Sequence, residues 1–354
     1  MKVAPLHRAF AQYEALVEHL IVHTGQHYDA EMSDVFFADL EMPPPAVFLG
    51  VGSGTHAQQT ARIMLAFEPV CLELRPELVI VVGDVNSTIA CALTAVKLGI
   101  PVAHVEAGLR SFDRTMPEEI NRVATDAIAD YFFVTEPSGV ENLRREGAPP
   151  ERIFLVGNTM IDSLLFALPK ARAHPIRARL GLSPREYVVV TLHRPSNVDD
   201  PVQLRGLLEV LGELAQWRRV VFPVHPRTQQ ALERFGLQSL TEALLVVPPL
   251  GYVEFLALVL EADFVVTDSG GIQEETTYLG IPCLTLRTTT ERPITCQLGT
   301  NRLVPPEPEA FRRALGELRW GQRKSGQVPP LWDGHAAERI ARIVVEQCLH
   351  LPVE

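Results

Sequence analysis

Acidic side chains stand directly after apolar runs in the first half of this chain. Residues 78–82 lead into Gly83-Asp84, and residues 102–105 lead into Glu106-Ala107-Gly108-Leu109-Arg110. A carboxylate that closes a buried strand is a poor neighbour for a core unless it is paired or used. Several at one sheet edge suit proton transfer, because burial and mutual repulsion raise one pKa while another group stays ionised. Met116-Pro117-Glu118-Glu119-Ile120-Asn121-Arg122 has the form of a helix start, with proline in the first turn. Glu118 and Glu119 are there either as favourable charges at that start or as further members of the acidic set.

The second half offers groups suited to an anion. Thr267-Asp268-Ser269-Gly270-Gly271-Ile272-Gln273-Glu274-Glu275 follows an apolar run and opens a helix. Gly270 and Gly271 permit close backbone approach, Ser269 adds a hydroxyl, and the helix start favours negative charge, which makes a phosphate cradle. Glu275, one turn into that helix, is placed to accept from a ribose hydroxyl. His193 and Arg194 follow another apolar run and can meet the same diphosphate, and His225 and Arg292 follow two more. Each histidine alone is equally well a structural residue. Phe255 is a core residue or a platform for a nucleobase.

These residues are positioned by a repeated rhythm of short β-branched run, turn and amphipathic stretch. Continuous apolar runs of this kind are strands buried on both faces, and their alternation with helices predicts an α/β fold of two doubly wound, Rossmann-like domains. Prolines 169, 175 and 184 bracket a basic, weakly periodic segment, 168–186, which is expected to be the linker. The expected domains are residues 1–168 and 169–334, with a final helix, 335–350, packing back on the first. Ligands of open α/β sheets sit at the carboxyl ends of strands, so an active site in the cleft between the domains is expected. The start is unusual, because residues 4–14 form a helix with no strand before it. In the usual order that strand is central, and a truncated or misassigned start is expected.

Composition excludes several function classes. A net charge of −11 argues against a nucleic-acid binder, and no run approaches the roughly 20 apolar residues of a membrane span. No signal peptide is visible, and Cys71, Cys91, Cys283, Cys296 and Cys348 have no metal spacing, which reads as buried thiols in a reducing cytoplasm. The histidines have no metal-site spacing either, so no metal is expected.

Taken together, the motifs resemble the non-hydrolysing UDP-N-acetylglucosamine 2-epimerase family. The segments that carry the resemblance are His23-Thr24-Gly25-Gln26-His27-Tyr28-Asp29, Gly83-Asp84, His104-Val105-Glu106-Ala107-Gly108-Leu109-Arg110, Pro117-Glu118-Glu119-Ile120-Asn121-Arg122, Gly157-Asn158-Thr159, Pro223-Val224-His225-Pro226, the glycine-rich segment 267–275 and Thr290-Glu291-Arg292-Pro293. The resemblance implies a glycosyltransferase-B-like fold, a homodimer, and no metal or nicotinamide cofactor. It implies reversible C2 inversion of UDP-N-acetylglucosamine to UDP-N-acetylmannosamine, through elimination and re-addition of UDP, for cell-surface polysaccharide precursors. Asp84, Glu106, Glu118 and His193 then match catalytic positions. Lys2, Phe255, Ser269, Gly270, Gly271, Glu275 and Arg292 match positions that bind the UDP-sugar. Gln26, His27 and His225 are candidates for a regulatory site.

There are departures from the pattern. The family's opening strand and Gly-Thr-Arg-Pro-Glu loop have no counterpart, although Lys2 is retained. The usual Gly-His-Arg-Arg-Glu reads Leu192-His193-Arg194-Pro195-Ser196, and Gly52-Ser53-Gly54-Thr55 replaces a regulatory Arg-Gln pair, which argues against allosteric control. Segments 23–37 and 50–56 are similar to the branch acting on UDP-2,3-diacetamido-glucuronate. Three alternatives therefore accompany the main expectation: that substrate, a glycosyltransferase of the same architecture, or a truncated UDP-sugar binder without turnover.

Overall fold

Val79–Val82, Val102–Val105 and Tyr131–Val134 are almost wholly β-branched or aromatic, as strands covered on both faces require. They belong to one of two compact units in the computed structural model, which describes residues 1–26, 35 and 37–352. The first unit comprises Met1–Phe166 with Pro330–Glu354, and the second comprises Ala167–Pro329. Both are α/β, and every strand pair in them is parallel.

In the first unit β1 (Val22–His23) pairs with β2 (Val47–Phe48). A separate sheet runs in the order β3 (Val79–Val82), β4 (Val102–Val105), β5 (Tyr131–Val134) and β6 (Ile153–Leu155). Val82 stands in register with Val105, and the Gly83 amide donates to the Val105 carbonyl at 3.0 Å, so the turns after β3 and β4 lie side by side. Helix Val3–Phe10 buries Leu6, Ala9 and Phe10 against Ala337, Ile340 and Ala341 of helix Ala336–Ile343, over Ala103, Val105 and Phe133 of the sheet. Asp162 caps that last helix, accepting from the amides of Ala336 at 3.3 Å and Ala337 at 2.7 Å.

In the second unit β7 (Tyr187–Thr191), β8 (Arg219–Pro223), β9 (Leu245–Val247), β10 (Phe264–Thr267), β11 (Cys283–Leu286) and β12 (Asn301–Val304) form one sheet, ordered β12-β11-β10-β7-β8-β9. The chain builds outward from β7 in one direction, then returns to β10 and builds in the other. The reversal makes a topological switch point at the carboxyl ends of β7 and β10, the place where such sheets open a crevice for ligands. Thr191 and Thr267 are the last residues of the two strands; they stand in register, with hydroxyls 2.8 Å apart.

Segment 168–186, expected to be the linker, begins just past the boundary of the two units and is partly helical. Helix Thr159–Ala173 runs straight through Pro169, and Ile176–Arg179 adds a short helix. Ile161, Leu164, Ala167 and Ala171, at helical spacing, are buried, and this packing outweighs the roughly 3 kcal/mol cost of an interior proline. Cys71, Cys91 and Cys283 are buried as expected, whereas Cys296 and Cys348 are half-buried. No helix among the described residues is long and apolar enough to cross a membrane.

Candidate active site

In the first unit the sheet edge after β3 and β4 gathers the acids. Asp84 is partly exposed and paired with the Arg122 guanidinium. Asn121, beside Arg122 on helix Pro117–Ile128, donates to the Asp84 carbonyl at 3.0 Å, so one helix turn holds this residue by backbone and side chain. Arg122 also donates to Glu119, at 2.8 and 3.0 Å. Burial of Glu119 alone raises its pKa, but hydrogen bonds from Ser111 and Phe112 together with the Arg122 charge bring it below the usual value. Glu119 is therefore a structural acid that ties the loop after Arg110 to the helix, whereas Glu118 is half-buried on the same turn.

Glu106 is buried, and its carboxylate is paired with Lys2. Its φ of +72° lies in the left-handed region, which costs a non-glycine residue on the order of 1–3 kcal/mol. The conformation is imposed by its neighbours. Glu106 and Ala107 both donate to the Phe133 carbonyl, at 3.0 and 3.2 Å, and Gly108 donates to Asp126 at 2.9 Å. Gly108 must itself be glycine, because a Cβ there would stand 2.3 Å from the Gly139 carbonyl oxygen. Beneath both turns lies His104, wholly buried, with Nδ1 2.6 Å from Asp126 and Nε2 2.8 Å from the Gly83 carbonyl. Both partners are acceptors, so both ring nitrogens carry protons. Burial opposes that charge, yet Asp126 and the carbonyl hold the His104 pKa above its ordinary value. Arg110, 2.7 Å from Asp126 and 2.9 Å from Glu146, completes the support.

In the second unit the glycine-rich segment follows β10, at the switch point. Helix Gly270–Leu279 opens after Ser269, whose side chain makes no capping hydrogen bond. A Cβ on Gly270 would stand 2.8 Å from Glu291 and 2.9 Å from Arg292, so glycine is what lets those two side chains reach the helix start. Arg292 is buried, bound to Glu274 at 2.7 Å and to Glu291. His193 is partly exposed, and its Nδ1 lies 2.9 Å from Asp268. Asp268 also accepts from the amides of His193 and Arg194 at 2.9 Å and from Asn197 at 3.1 Å. Burial alone raises the Asp268 pKa, but these donors hold it below the usual range. An ionised Asp268 fixes the His193 ring by Nδ1 and leaves Nε2 for other partners. Glu275 is buried and accepts from the Tyr252 hydroxyl at 2.9 Å.

Several candidates occupy other settings. Phe255 is half-buried on helix Tyr252–Leu260. Gln26 is buried, and its side-chain oxygen accepts from the Ser87 amide at 2.8 Å and from the Ser87 hydroxyl at 2.6 Å, at the start of helix Asn86–Lys97. His27 lies outside the described residues. His225, exposed, caps helix Pro226–Phe235 through the Arg227 amide, and its ring stacks obliquely 5.2 Å from that of His193. Motif spacing assigns no role to Asp268, His104 or Arg122. The signal for Asp268 was nonetheless the one that marks Asp84 and Glu106, an acid directly after a buried strand. Among the described residues no group of three or more His, Cys, Asp or Glu side chains is placed to hold a metal ion.

The family model described as UDP-N-acetylglucosamine 2-epimerase matches residues 10–345. A UDP-N-acetylglucosamine 2-epimerase of Methanocaldococcus jannaschii is 41% identical over 352 residues, covering 97% of this chain and 95% of the relative. A UDP-2,3-diacetamido-2,3-dideoxy-D-glucuronate 2-epimerase of Pseudomonas aeruginosa is 40% identical over 356 residues, covering 98% and 96%. The crystal structure of the Methanocaldococcus jannaschii UDP-GlcNAc 2-epimerase, in complex with UDP-GlcNAc and UDP, superposes with a TM-score of 0.90, covering 97% of this chain and 95% of that one.

Proposed function

Because the chain belongs to the UDP-N-acetylglucosamine 2-epimerase family, an isomerase family of glycosyltransferase-B-like fold, we propose that it interconverts UDP-N-acetylglucosamine and UDP-N-acetylmannosamine. The observation that carries this is the pair of acids, Asp84 and Glu106, on adjoining turns of one parallel sheet, each facing a cation and both held by buried supports.

Chemically, loss of the C2 proton and departure of UDP from C1 create a C1–C2 double bond, and the diphosphate leaves with the C1–O electron pair. Re-addition of UDP at C1, with a proton returned to the other face of C2, inverts that centre and consumes no water. Asp84, Glu106 and Glu118 form the carboxylate set through which the C2 proton moves. The second unit holds UDP. Ser269, Gly270, Gly271 and the helix start receive the diphosphate, with His193 and Arg292 supplying further donors and charge to the leaving group. Glu275 accepts from ribose, Phe255 stacks on uracil, and Lys2, at Glu106, binds on the sugar-phosphate side.

The enzyme works in the cytoplasm, a compartment consistent with its free cysteines. It acts as a homodimer. Helices His56–Leu74 and Pro117–Ile128, which both pack on helix Asn86–Lys97, expose Leu65, Leu72, Ile120 and Val123, apolar side chains suited to a second copy.

A second substrate, UDP-2,3-diacetamido-2,3-dideoxy-D-glucuronate, is favoured by the 40% identity to the Pseudomonas aeruginosa enzyme. Proton NMR of separate incubations with the two sugar nucleotides distinguishes them. A UDP-N-acetylmannosamine signal growing to equilibrium is the expected result. Conversion of the diacetamido-glucuronate nucleotide alone assigns the second substrate, and conversion of neither contradicts the proposal.

A further inference from the structure

Helix Tyr252–Leu260 and helix Gly270–Leu279 each carry one group assigned to the nucleoside, Phe255 to the base and Glu275 to the ribose. One hydrogen bond joins them: the Tyr252 hydroxyl donates to Oε1 of Glu275 at 2.9 Å, with both residues buried. Tyr252 and Phe255 are three residues apart, on one face of their helix, so whatever fixes Tyr252 also constrains Phe255. We propose that Tyr252 is a positioning residue for the nucleoside, setting the rotation of the Glu275 carboxylate and the register of Phe255 against it. This rests on the assignment of the second unit to UDP, and it deepens that assignment by naming what aligns the base and ribose contacts.

The electrostatics supply a readout that packing alone would not move. Burial, with some repulsion from Glu274, pushes the Glu275 carboxyl up to about 7, and the Tyr252 hydrogen bond opposes that rise. The Tyr252 phenol is itself pushed upward by burial and by Glu275, so it remains a donor. Glu274, on the same helix, is bound to Arg292 at 2.7 Å. Glu275 accepts from a ribose hydroxyl best when ionised, so UDP affinity should rise as pH passes upward through about 7. Removing the phenol hydroxyl withdraws a stabiliser of the carboxylate and moves that midpoint to higher pH.

The test is calorimetric titration of UDP and of inorganic pyrophosphate between pH 6 and 9, on the wild type, Tyr252→Phe and Glu275→Gln. Tyr252→Phe should weaken UDP about 10-fold at neutral pH, the scale of one hydrogen bond to a charged group. It should leave pyrophosphate binding unchanged and shift the UDP midpoint upward, while Glu275→Gln flattens the pH dependence. A Tyr252→Phe protein that binds UDP with the wild-type midpoint overturns the role of Tyr252 alone. A wild type that binds no UDP at any pH overturns the nucleotide assignment and this inference with it.

Discussion

Glu106 and Asp268 both follow buried strands, yet they differ in what the fold makes of them. Glu106 sits in a left-handed conformation and is held by its backbone partners and by the Lys2 pair on its carboxylate. On the proposed function, that strain is kept for chemistry. Asp268 instead spends its carboxylate on four donors and leaves none of it for a substrate. Glu106→Gln should therefore lower kcat by about 10²- to 10⁴-fold, the range of a lost acid–base group, with UDP affinity retained. Asp268→Asn should instead lower kcat/KM about 10- to 100-fold, the cost of one lost charged acceptor, and weaken UDP binding through a misaligned His193. Steady-state kinetics with UDP titrations separate the two patterns. Strand-end position made Asp84 and Glu106 legible, because apolar runs announce where a strand stops. The same position could not tell a reacting acid from a supporting one, since that depends on donors such as Asn197 and Arg122 from other elements.

Two supports between elements carry measurable consequences. His104 on β4 joins helix Pro117–Ile128, through Asp126, to the turn after β3, through the Gly83 carbonyl. Burial alone would lower the His104 pKa, but Asp126 raises it above its unfolded value, so the stability it contributes is fully present below about pH 6.5 and is lost as pH rises through the folded value. Asp126 has the opposite sense: burial alone raises its pKa, but His104 and Arg110 outweigh burial and bring it below the usual value, so its contribution fades as pH falls below about 4. Urea unfolding of the wild type should therefore show stability declining from pH 6 to 9 relative to His104→Gln, and parallel curves would contradict this. Gly157, with φ of +90°, is a second joint, where a Cβ would stand 2.0 Å from the Leu331 carbonyl oxygen. Gly157→Ala should cost on the order of 1–3 kcal/mol, read as a lower urea midpoint with activity per folded molecule preserved. Strand and helix existence was legible from apolar rhythm, including the strands that lead to both sites. The helix through Pro169 was not, because local proline penalties conceal packing of Ile161, Leu164 and Ala171 that only tertiary structure supplies.

On the proposed function the two units divide the work: the first carries the acids and the second the nucleotide cradle. The division was legible because Gly-rich and acidic motifs follow strands in different halves. The order β12-β11-β10-β7-β8-β9, which locates the switch point, depends on crossovers that sequence does not encode locally. In the first unit the strands fall into two- and four-stranded sheets instead of one. Sedimentation should give a dimer, and Leu65→Glu with Ile120→Glu should shift it toward monomer; an unchanged profile would place the interface elsewhere. Turnover of UDP-N-acetylglucosamine in deuterium oxide, followed by NMR, should show deuterium at C2 of the UDP-N-acetylmannosamine formed. Product that retains the original hydrogen at C2 would contradict proton transfer through Asp84, Glu106 and Glu118.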